Sequence, residues 1–164
     1  MGEFNFLKDK KTISAAILVP LAAFLVLYAQ TEISDDTKSM TEDVLTGAFG
    51  QGQMVFIEVA DSEAERIQGL SGRKNLGGDE GLLFVFERDD FHGIWMKDMN
   101  FAIDIIWLDG ELEVVDIKKN ALPESFPQIF RPASSARYVL ETLAGFSDNR
   151  LVKIGDKLGL SGEI

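Results

Sequence analysis

Between Phe101 and Leu108 the only polar side chain is Asp104. Alternate residues of a strand face opposite sides, so a strand apolar at odd and even positions alike must be covered on both sides. A single sheet with one wet face is thereby excluded. The run predicts a central strand with protein packed above and below it. An unpaired charge in such a place costs several kcal/mol, so Asp104 is expected to be paired, hydrogen-bonded or kept for a task. The same holds for Lys97 and Asp98 in the preceding Trp95-Met96-Lys97-Asp98-Met99, which is flanked by residues that read as interior.

The surrounding chain supplies the other strands. Met54–Val59 is β-branched and aromatic; Gly81–Phe86 and Ile94–Met96 follow, and Asp109-Gly110 predicts a two-residue hairpin into Leu112–Ile117. Ser62 with Glu65 three residues on forms a capping box, and Gly69 supplies a C-terminal stop, which predicts one short helix carrying Arg66, with Arg73 in the loop beyond. Pro123, Pro127 and Pro132 punctuate an irregular stretch in which Phe126, Ile129 and Phe130 are expected to fold back over the core. Tyr138–Leu143 is a further strand, Gly145–Arg150 a turn or short helix, and Val152–Leu160 a last strand or hairpin. Many short strands without a βαβ rhythm predict a mainly β, antiparallel barrel or sandwich with one or two short helices.

The N-terminus has another character. Ile13–Ala29 is a run of 17 residues without a charge, preceded by Lys8, Lys10 and Lys11. At about 1.5 Å per residue such a helix spans roughly 25 Å, a little short of a bilayer core. The lysines predict a cytoplasmic N-terminus over residues 1–12 and an extracytoplasmic remainder. Leu27 is too bulky for a usual signal-peptide cleavage site, so an uncleaved transmembrane anchor over 13–29 is expected. Residues 30–52 are polar and acidic and read as a flexible tether, leaving 53–164 as the folded domain.

Charge and composition exclude several classes. Of the formal net charge of −11, residues 1–50 account for −3 (four lysines against seven acids), leaving −8 beyond them. Such a domain repels phosphate backbones, and nucleic-acid binding is not expected. With no Cys, thiol catalysis, disulfides and thiolate metal sites are out. The single histidine, His92, excludes any site needing two imidazoles and has no evident partner for general-base work. Neither a nucleophile-elbow serine nor a phosphate-cradling glycine loop occurs, and no cofactor is implied. Glu111 and Glu113 share one strand face, but without a calcium-loop motif they read as a solvated hairpin rather than a metal site.

Five motifs occur in order: Glu65-Arg66-x-x-Gly69-Leu70-x-x-Arg73; Asp79-Glu80-Gly81-Leu82-Leu83-Phe84-Val85-Phe86; Trp95-Met96-Lys97-Asp98 with Asp104-Ile105-Ile106; Tyr138-Val139-Leu140-Glu141 with Ala144-Gly145; and Gly155-Asp156-Lys157. Over roughly residues 55–160 the chain thereby resembles the family catalogued as domain of unknown function 192. The resemblance implies a compact β-rich domain, often exported or membrane-tethered, with no established activity. Ser71, Asp98, Met99 and Ala102 stand where that family usually has Met, Asn, Thr and Pro.

The candidate chemistry rests on Arg66, Arg73, Trp95, Lys97, Asp98, Asp104 and Glu141. In one reading they form a pocket whose cations grip an anion, or a sugar stacked on Trp95. In the other, the charges are a satisfied network that fixes strand register. A hydrolase of envelope polysaccharide built on Asp104 and Glu141 is the enzymatic alternative, and needs both carboxyls on one side of a cleft. A purely structural or assembly role predicts an exposed apolar patch and no pocket. Phe84, Phe86, Trp95 and Trp107 are expected in the core. The favoured expectation is a non-enzymatic, membrane-tethered module that binds a ligand or partner at the envelope.

Overall fold

A computed structural model describes residues 45–164 except 51 and 53. The leader over 1–12, the apolar run 13–29 and most of the tether lie outside the described residues. Among the described residues no helix is long and apolar enough to cross a membrane.

The domain is mainly β. Nine strands are present among the described residues: β1 (Leu45–Phe49), β2 (Val55–Ala60), β3 (Glu80–Asp90), β4 (Ile94–Trp95), β5 (Ile103–Leu108), β6 (Val114–Ala121), β7 (Ile129–Phe130), β8 (Ala136–Leu143) and β9 (Leu158–Leu160). Two short helices, α1 (Glu63–Gln68) and α2 (Phe146–Asn149), and one 3-10 turn at Pro123–Ser125 accompany them. Seven strands make one curled half-barrel sheet in the order β6-β5-β8-β3-β2-β1-β9, while β4 and β7 pair separately. The outer strands approach each other at one end, where Val114 N donates to Asp156 O, Gly155 N to Val114 O and Leu158 N to Leu112 O.

Curling divides the interior in two. Val55, Ile57, Leu83, Ile106, Leu108, Leu140 and Leu158 pack with Phe49 and Phe146 as one cluster. Alternate residues of the same strands, Leu82, Phe84, Ile103, Ile105, Trp107 and Val139, form a second cluster with Leu70, Ile94 and Met96. β5 belongs to both, and every one of its residues is buried, as its sequence requires.

Several expectations need correction. The sheet is not wholly antiparallel: β2 and β3 run parallel, joined through α1 as a βαβ unit. The tether does not extend to residue 52, because β1 pairs with both β2 and β9. Small and polar residues (Thr46, Gly47, Ala48) mask its strand signal and leave only Leu45 and Phe49 as large apolar side chains. The turn after β5 is longer than a two-residue hairpin, since Asp109 Oδ1 accepts from both Glu111 N and Glu113 N and β6 starts only at Val114. Of the residues expected to fold back over the core, Phe130 packs against it, while Phe126 and Ile129 stay exposed.

Candidate functional site

α1 begins as its sequence dictates. Ser62 Oγ accepts from Glu65 N, and Glu65 Oε2 accepts from Ser62 N at 3.1 Å. Gly69, at φ 49°, ends it, and a Cβ there would stand 3.2 Å from Phe84 Cζ, so the chain passes close above the aromatic face of β3. Beyond it the segment 70–73 is tied to the turn after β4. Ser71 Oγ donates to Lys97 O, Gly72 N to Asp98 O, and Asn100 Nδ2 to Arg73 O. Gly93 brings the chain into β4, with no room for a side chain, as a Cβ there would meet Ile129 Cγ2 at 2.6 Å.

Between α1, β4 and the β3–β8 face lies an open pocket of about 240 Å³. Its apolar lining includes Leu70, Phe84, Phe86, Ile94, Trp95 and Met99. The polar lining comes from Glu63, Arg66, Gln68, Ser71 and Glu141.

Glu141 is the unusual member. It is 4% exposed, opposite Leu82 of β3 and Ile105 of β5. Among the described residues its carboxyl has no hydrogen-bond donor. Burial pushes its pKa up to about 8, against the opposing pull of the Arg73 charge. At neutral pH the acid therefore keeps its proton, and can both donate and accept.

The neighbouring cations have other partners. Arg66 Nη1 donates to Val85 O at 2.8 Å and also to Asp61 O, with its guanidinium 5.4 Å from the Phe86 ring centroid. His92 stacks on the same ring at 3.6 Å. Arg73 makes a two-pronged pair with Glu58 at 2.7 and 2.6 Å, which lowers the pKa of Glu58 first through that hydrogen bond and raises that of Arg73.

The sequence-derived candidates are therefore split. Arg66, Trp95 and Glu141 share the pocket, and Arg73 stands beside it. Lys97 and Asp98 are exposed, not interior, and their backbone carbonyls do the work of holding the 70–73 segment. Asp98 has φ 55°, a left-handed conformation that Asp and Asn tolerate better than most residues. That requirement accounts for Asp in a place where the resemblance leads one to expect Asn. Trp95 is not core: it is 47% exposed and meets Phe126 edge-on at 6.3 Å. With exposed Ile129, its β7 partner, it leaves an apolar fringe on the β4–β7 pair.

Asp104 lies elsewhere. Its register partner is Thr142, whereas Glu141 opposes Ile105, so the two acids face opposite sides of the sheet. Asp104 Oδ1 accepts from Asn120 N at 2.8 Å and Oδ2 from Ser147 N at 2.9 Å. A two-carboxylate hydrolase on this pair is thereby excluded, because no substrate bond can lie between groups separated by the sheet. Sequence reasoning misses Glu63, Leu70 and Met99 as lining residues. Glu63, Arg66, Ile67 and Leu70 follow a helical i, i+3, i+4, i+7 spacing, which is the signal that marks one shared face.

The family model for DUF192, described as uncharacterized ACR, matches residues 45–160, from the first strand to the last. The chain belongs to this family. It is 33% identical to a UPF0127 protein of Thermococcus sibiricus over 104 residues, 62% of this chain and 64% of that one. It is 34% identical to the UPF0127 protein of Thermococcus gammatolerans over 102 residues, 61% of this chain and 63% of that one. It thus spans a little under two thirds of each of these relatives. The Pyrococcus furiosus UPF0127 protein is 32% identical over 115 residues, 66% of this chain and 90% of that one. Among solved structures, a protein of unknown function from Novosphingobium aromaticivorans superposes with a TM-score of 0.65 at 29% identity, covering 70% of this chain and 82% of the other. A Sinorhizobium meliloti protein described as a candidate transcription regulator gives 0.66 at 28% identity, covering 73% and 93%.

Proposed function

We propose that this domain is a non-enzymatic ligand-binding module, carried outside the cytoplasm on a membrane anchor over residues 13–29. The observation that carries the binding assignment is Glu141: a buried carboxyl with no donor beside it among the described residues, lining a pocket open to solvent. A buried polar group without a partner costs free energy that only a ligand or water in the pocket offsets. The pocket is a little smaller than the roughly 300 Å³ at which drug-sized sites begin, so its occupant is a small molecule or one side chain of a larger one. Its body rests on Leu70, Phe84 and Trp95, and its polar end meets Glu141.

Support for the anchor is the uncharged run 13–29 behind Lys8, Lys10 and Lys11. The binding reading is tested by tryptophan fluorescence of the full-length chain, titrated with small ring compounds that carry one polar group. The expected result is saturable quenching that weakens when a charge is placed on the apolar rim by Ile67→Asp. No saturable response to any compound refutes the reading. Protease accessibility in intact cells tests the address, and a domain protected from external protease with an opened outer envelope refutes it.

A further inference from the structure

The polar end of the ligand is constrained by charges already committed. Arg66 is held by two carbonyls and the Phe86 ring, and Arg73 by Glu58. Among the described residues no unengaged cation lines the pocket, whereas two acids do, Glu141 in its depth and Glu63 on α1. An anion would find no free cation among these residues to pair with, since Arg73 is committed to Glu58, and would lie near the negative Glu63. A neutral hydroxyl gains only an ordinary hydrogen bond with the protonated acid.

Resting on the pocket reading above, we infer that the ligand is a small organic ammonium ion, a protonated amine on an apolar body, whose nitrogen pairs with the Glu141 carboxylate. A cation there supplies the hydrogen-bond donors that the carboxyl lacks, and charge-assisted bonds of this kind are roughly twice as strong as neutral ones. Trp95, half-exposed and part of the lining, adds an aromatic surface that attracts cations. The −8 carried by the chain beyond residue 50 favours approach of a positive ligand.

The pairing is linked to a proton. Because burial holds Glu141 protonated up to about pH 8, the ammonium must displace that proton on binding. The charged groups around it are Glu63 and Arg66 from α1, Arg73 from the following loop and, through Arg73, Glu58 of β2. The lining residues from β3 and β4 are uncharged.

Three probes with one body and different heads test the inference by calorimetry on the full-length chain: benzylammonium, benzyl alcohol and benzoate. The expected result is benzylammonium at least about tenfold tighter than the alcohol, with benzoate the weakest. Its affinity should rise by about tenfold from pH 6 to pH 7, with about one proton released per ligand across buffers of differing ionisation enthalpy. Glu141→Gln, which keeps the side-chain volume, should abolish the preference for the amine over the alcohol. Trp95→Ala, at a half-exposed position, should weaken all the probes that bind. Alcohol or benzoate binding as tightly as the amine, or amine binding indifferent to Glu141→Gln, overturns the ammonium assignment and leaves the pocket reading standing. No saturable binding of any of the three overturns both.

Discussion

Asp104 and Glu141 sit on adjacent strands, one register step apart, and both are buried. They differ in what the opposite faces of the sheet offer them. Asp104 meets two backbone donors that the fold itself leaves spare. β6 gains a residue between the partners of Ile103 and Ile105, and Asn120 at φ 50° loses its place in the ladder. Gly145, the N-cap of α2, has no side chain with which to cap Ser147. One carboxylate satisfies both needs, and so joins a bulge to a helix start. Glu141, on the other face, has an opening in front of it and no such donors. The contrast teaches that burial alone does not mark a site; a missing partner in front of an opening does.

The largest expected effect breaks the structural half of the comparison. Asp104→Ala strands the buried Ser147 N–H and the part-buried Asn120 N–H, and should lower the unfolding free energy by about 2–4 kcal/mol, measured by urea denaturation. A loss below about 1 kcal/mol would show that the bulge and α2 stand without it. Next, Glu141 gives stability a pH dependence. The unfolded chain loses this proton near 4.5 and the native domain only near 8, so the native state binds more protons in between. The contribution of Glu141 should thus be full below about pH 4.5 and fall as pH rises to about 8, by an amount on the order of a few kcal/mol. Thermal melts of Glu141→Gln should lack that decline; a wild-type curve equally flat would contradict the unpartnered acid. A smaller effect is expected for Trp95→Ala, about 1 kcal/mol or less in stability by the same melts, because the ring is half in solvent. Smallest is Arg73→Ala: its pair with Glu58 is largely exposed, and such pairs contribute about 0–1 kcal/mol. What Glu58 does contribute should be present above the ordinary carboxylate range and fade as pH falls, since its pKa is lowered.

Much of this architecture is legible in the sequence because it is local. The double-sided burial of β5, the capping box of α1 and the strand character of β2 and β8 follow from periodicity and neighbouring residues. What is not legible depends on register between distant segments. Whether Asp104 and Glu141 share a face is decided by the pairing of β5 with β8, which neither strand encodes alone. Trp95 reads as interior because its neighbours Ile94 and Met96 are, yet β4 is two residues long and turns every other side chain outward. Lys97 and Asp98 mislead for another reason: their contribution is made by backbone carbonyls, which side-chain chemistry does not reveal.

The approach of β6 and β9 has a consequence for how the domain behaves among its own copies. An open sheet offers two rows of unspent amide groups to any extended chain nearby, and at high local concentration these invite stacking into aggregates. Here the start of β6 is stitched to the segment before β9, so both rows are partly consumed within one molecule. Farther along β6, Lys118 places a like charge where a second copy would have to add, while Lys119 is paired with Asp148. Crowded side by side, such domains should stay separate.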